Sequence, residues 1–132
     1  RGVHRPFTDW AAMEQRHQPE SMAGRMFAGL RHRIAIRQAT PAFAGQHLEV
    51  LPLDNPHLFG YVRAAPEPES TTGHQRVLVL NNFSEAAQTI TANVLRLYGL
   101  SYEFNDLLTD SQIASDEDLT LAPYQVVWLV AA

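Results

Sequence analysis

Residues 21–41 read SMAGRMFAGLRHRIAIRQATP. From Ser21 to Gln38 the apolar residues recur with a period near 3.6, which predicts a helix. Met22, Met26, Leu30 and Ile34 form one row and Ala23, Phe27, Leu30 and Ile34 a neighbouring one. Arg25, Arg31, His32 and Arg37 are expected on the opposite side. Pro19 suits the first turn and Glu20 the N-terminal dipole. Gly24 and Gly29 each cost about 1 kcal/mol relative to Ala in such a helix, which points to close packing against another element. Ala39-Thr40-Pro41 ends it, because a residue before Pro avoids the α region. A row of large apolar side chains needs a surface to lie on, and nothing before this helix provides one.

Upstream, RGVHRPF (1–7) has no periodicity and reads as loop. Thr8 is the expected N-cap of a short helix in which Trp10, Met13, Glu14 and His17 share a face.

Downstream the period changes. HLEVLPL (47–53) and HLFGYVRA (57–64) read as strands joined by the turn Asp54-Asn55-Pro56. APEPESTTGHQ (65–75) is a polar loop. RVLVLNNF (76–83) is almost continuously apolar, as a central strand is. AQTITANV (87–94) and SYEFNDLL (101–108) alternate, and DLTLAPYQVVWLVA (118–131) gives a short strand, a Pro123 corner and a last buried strand. No helix of note is expected after Gln38. Six or seven short strands imply an antiparallel sandwich or barrel.

Composition narrows the function classes. The 132 residues suit one domain plus an appendage, with an ordinary hydrophobic share of 45%. There is no Cys, so disulfides and thiolate metal sites are excluded. All ten cations are Arg, seven of them within the first 40 residues, yet they interleave with apolar residues and the net charge is −4. A nucleic-acid partner is therefore not expected. No run reaches the roughly 20 apolar residues that span a bilayer, so no membrane partner is expected either.

Catalytic sets are scarce. The six His are scattered without metal-ligand spacing, and no Gly-rich phosphate loop or GxSxG turn occurs. No metal and no cofactor are expected. Asp116, Glu117 and Asp118 read as a solvated acidic run rather than a catalytic pair. Tyr124 and Trp128, four apart in an expected strand, share a face. An aromatic sugar platform is one use for that face, and Trp128 in the core is the stronger expectation.

Four stretches taken in order, RGVHRP (1–6), AGRMFAGLRHRIAIRQATPAF (23–43), LVLNNFSEAAQTIT (78–91) and DLTLAPYQVVWL (118–129), resemble the C-terminal end of amylosucrases. These are sucrose-using members of the α-amylase superfamily of glycoside hydrolases. The resemblance implies an α+β chain. Residues 1–43 would be the loop after strand 8 and the last helices of a (β/α)8 barrel. Residues 44–132 would be an all-β antiparallel sandwich, the C-terminal domain of the superfamily. It further implies transfer of glucosyl units from sucrose to an α-1,4-glucan acceptor with release of fructose, with configuration retained. The catalytic carboxylates would lie outside this segment and the upstream barrel would be its partner. By the same resemblance Arg1 would form a salt bridge closing the glucose pocket, with His4 and Arg5 beside it. Gly2 stands where some relatives have a larger residue and would open the acceptor side. A sucrose hydrolase of the same family is one alternative, and a non-catalytic carbohydrate-binding or structural β module is another.

Overall fold

The computed structural model describes residues 7–65 and 75–132. The chain divides into two compact units, Arg1–Ala35 and Ile36–Ala132.

In the first unit α1 spans Trp10–Glu14, followed by a 3-10 turn, Gln15–His17. The cap is Asp9, not the expected Thr8: its Oδ1 accepts the Ala12 N–H at 3.0 Å. A carboxylate does this better than a hydroxyl because it also carries the charge that a helix N-terminus favours. Helix α2 spans Met22–Ala39. Pro19 falls in the turn before it rather than in its first turn. Ser21 makes the start: its Oγ accepts the Gly24 N–H at 2.9 Å and donates toward the Gln15 and Gln18 carbonyls, both at 2.8 Å. Gly24 is needed there because a Cβ would stand 1.9 Å from the Gln18 carbonyl oxygen. Its close packing is thus against its own preceding turn. At 100° per residue Arg33 and Arg37 fall within the arc of Met22, Met26, Leu30 and Ile34. The Arg face expected opposite the apolar row is therefore not clean, and Arg37 sits on the wrong side of it.

The second unit is built on a six-stranded antiparallel sheet in the order β1-β2-β3-β8-β5-β6. Its strands are β1 (His47–Val50), β2 (Leu58–Ala64), β3 (Arg76–Asn82), β5 (Glu103–Asp106), β6 (Ser111–Ala114) and β8 (Val126–Ala131). A second sheet pairs β4 (Gln88–Ile90) with β7 (Leu119–Leu121). β3 is central, with Val77, Leu78, Val79 and Leu80 all buried, so both of its faces are covered. Leu78 and Leu80 look toward a cluster with Val62, Ile90, Leu95, Phe104, Leu121, Val127 and Leu129. Val77 and Val79 look the other way, toward Ala42, Phe43 and Val130.

Two elements differ from expectation. The stretch 87–94 is not one strand: β4 ends at Ile90 and α3 spans Ala92–Gly99. The alternation holds only to Thr91, after which Val94, Leu95 and Tyr98 follow helical spacing and pack on the first cluster. The helix stops at Leu100 in the left-handed region, φ 58°, its N–H bonded to the Arg96 carbonyl. Strand β6 had no signal because it is an edge strand whose side chains are mostly exposed.

Two buried polar side chains fasten the loops. The Asn82 Oδ1 accepts from the Ser84 N–H at 2.9 Å and from its hydroxyl at 2.8 Å. Its Nδ2 donates to the carbonyls of Ala86 (2.8 Å) and Ala122 (2.9 Å). Asp106 accepts from the N–H groups of Leu108 and Trp128 and from the Thr109 hydroxyl, so its buried carboxylate is compensated.

Gly99 lies against the Phe104 ring, and a Cβ there would come within 2.4 Å of Cε1. Gly99→Ala is expected to lower stability by about 1–3 kcal/mol through overpacking, despite the better helix propensity of Ala. Urea unfolding checks this: an unchanged or raised midpoint would contradict the close packing.

Candidate functional site

Arg1, Gly2, His4 and Arg5 lie outside the described residues, as do His74 and most of the 65–75 loop. Among the described residues no group of three or more His, Asp or Glu is arranged to hold a metal ion. No helix there is long and apolar enough to cross a membrane.

The acidic run divides in use. Asp116 and Glu117 are exposed, but the Asp118 Oδ1 accepts the Ala92 N–H at 2.9 Å. Asp118 therefore caps α3 from 26 residues away, while the hydroxyl of Thr91, the N-cap residue, makes no cap bond. A solvated run was expected; one of its three carboxylates is structural.

The Tyr124–Trp128 platform does not form. Tyr124 precedes β8, with φ 57°, its N–H bonded to the Ser84 carbonyl, and its side chain exposed. Trp128 is half-buried, its ring 4.8 Å from that of Phe43 and tilted by 56°. Tyr124 lies outside β8, which begins at Val126, so the face-sharing rule of a strand does not apply to the pair. Trp128 packs against the cluster of Phe43, Val77, Val79 and Val130.

Helix α2 exposes a row of large apolar side chains. Met22 is 71% exposed, Met26 63%, Leu30 58% and Ile34 53%, and Gly24 is the helix's only buried residue. Isolated exposed Leu or Met residues are ordinary, but four at i, i+4 spacing form a contiguous stripe of the kind that marks an interface.

Phe27 does not join that stripe in the way the sequence implies. The guanidinium of Arg16 lies 5.7 Å from its ring centre and that of Arg31 5.8 Å. His17 meets the ring edge-on at 5.9 Å. The Phe27/Arg31 spacing of four was the available signal for half of this cluster. Arg16 and His17 reach the ring only through the turn at 18–21.

A family model for the amylosucrase C-terminal domain matches residues 63–130, from within β2 to Val130 in β8. The chain belongs to the amylosucrase C-terminal domain family. Solved structures share the fold. A mutant trehalulose synthase MutB bound to Tris superposes with a TM-score of 0.61 at 21% identity, covering 89% of this chain and 19% of its own. A MutB mutant in complex with its substrate sucrose gives 0.60, 21%, 89% and 19%. A pullulanase from Anoxybacillus sp. LM18-11 complexed with maltotriose gives 0.60 at 9% identity, with 94% of this chain and 16% of its own covered. The chain thus spans under a fifth of the length of these proteins.

Trp128→Ala is expected to cost about 2 kcal/mol, below the 3–5 typical of a fully enclosed Trp. Maltoheptaose binding should not change. Thermal melts and an amylose affinity gel check both parts, and lost sugar binding at full stability would restore the platform.

Proposed function

We propose that this chain is the C-terminal part of a sucrose-using glucosyltransferase. Residues 1–43 would complete a (β/α)8 barrel and residues 44–132 form its C-terminal β domain. The observation that supports this most is the family match over 63–130 together with the bare Met22/Met26/Leu30/Ile34 stripe on the helix ahead of it. A helix that closes a barrel needs such a stripe, with the parallel sheet as its floor.

In that setting a retaining double displacement would proceed on upstream carboxylates, through a covalent glucosyl-enzyme. Sucrose would supply the glucosyl unit, fructose would leave, and an α-1,4-glucan would accept. Arg1 would hold the glucose pocket closed by a bidentate pairing with a carboxylate, and His4 and Arg5 would shape the same loop. The carbohydrate-module alternative loses support, since Trp128 packs against the Phe43 cluster instead of being fully displayed at the surface.

The complete protein should release fructose from sucrose. An insoluble or oligomeric glucan product identifies the transferase. Glucose in equal amount to fructose identifies the hydrolase alternative, and sucrose isomers would point to the chemistry named for trehalulose synthase. Untouched sucrose would refute the whole assignment. In the same protein Arg1→Ala is expected to cut sucrose turnover by about a hundredfold or more, the equivalent of some 3 kcal/mol of transition-state stabilisation, with an unchanged melting temperature. A near-normal rate would remove Arg1 from the pocket.

A further inference from the structure

We propose that Arg16, His17, Phe27 and Arg31 form a binding site for a phosphate group, as free phosphate or as a phosphate monoester of hexose size. These residues, with Pro19, Gly24 and Ala28, line a cavity of about 230 Å³ in the first unit. Arg16 and Arg31 come from different elements, the 3-10 turn and the third turn of α2, and both fold over one ring. Each cation–π contact stabilises by only about 0.5–1 kcal/mol at an exposed position. Both guanidinium groups also line the one cavity, so their positive charge is concentrated where an anion could lie.

No carboxylate neutralises them among the described residues. Glu14 approaches the cluster only at His17, 4.0 Å from its Nε2. That nitrogen accepts the Arg16 Nε–H at 3.0 Å, a shorter contact than the one to Glu14. The outer nitrogens of Arg16 and the whole fork of Arg31 remain as donors. Paired guanidinium forks match the tetrahedral oxygens of a phosphate dianion better than a single carboxylate. Pro19, Gly24 and Ala28 complete the lining with small or compact groups, and the volume accommodates a sugar ring beside the phosphate.

Isothermal titration of the complete protein with inorganic phosphate, at ionic strength held constant with NaCl, tests the proposal. Saturable binding is expected in the parent and in Arg33→Gln, a control on the same helix outside the cavity. The double variant Arg16→Gln/Arg31→Gln should bind at least about tenfold more weakly, the equivalent of losing one charge-assisted hydrogen bond. Should the double variant melt early, Arg31→Gln alone serves. Glucose 6-phosphate as a second titrant separates the sources: tighter binding than phosphate indicates a monoester, and equal binding indicates the free ion. No saturable heat with either titrant, undiminished binding in the double variant, or an equal loss in Arg33→Gln would overturn the site. Sucrose turnover is not a readout, so this result stands apart from the glucosyltransferase assignment.

Discussion

A strand that is apolar on both faces cannot stand at the edge of anything. Val77 to Leu80 in β3 impose that constraint on the second unit, since each of the four side chains must leave water. β2 and β8 satisfy the backbone on either side, and Leu78 and Leu80 are roofed by α3 and the β4–β7 pair. Val77 and Val79 are closed by the 3-10 turn Pro41–Phe43, whose Phe43 in turn seats Trp128. Fully burying one such side chain is worth about 1.5–3 kcal/mol, so leaving either face open would forfeit a large part of a domain's net stability.

The polar fastenings follow from the same need. Covering β3 requires the chain to return from several directions, and each return is pinned by a part-buried hydrogen bond from a side chain to the backbone. Asn82 holds the start of the β3–β4 turn to the corner after β7, Asp106 holds the turn after β5 to β8, and Asp118 reaches across to close α3. In each case the side chain meets backbone groups that would otherwise lose water without a partner.

The family was legible in the order of motifs. LVLNNFSEAAQTIT and DLTLAPYQVVWL resemble the amylosucrase C-terminal end and lie within the span that the family model matches. These motifs were readable because their residues are forced: an apolar run for the doubly covered strand, an Asn where a buried turn needs both donor and acceptor. The aromatic pair was misread for a local reason. Tyr124 adopts φ 57° at the Pro123 corner, and no spacing rule anticipates a non-glycine residue there. The cluster on Phe27 was missed because Arg16 is eleven positions away and approaches through a tight turn.

The sequence by itself determined β2, β3 and the final strand, whose apolar pattern follows burial, and also α2, whose apolar row is exposed in this chain. It did so because the period of apolar residues is the imprint of the face that leaves water. Tertiary structure alone decided α3, strand β6, the capping of α3 by Asp118 and the seating of Trp128 on Phe43. Those features depend on pairings between residues far apart in the chain. Local propensity leaves such choices nearly balanced, and it is the neighbour across the fold that tips them.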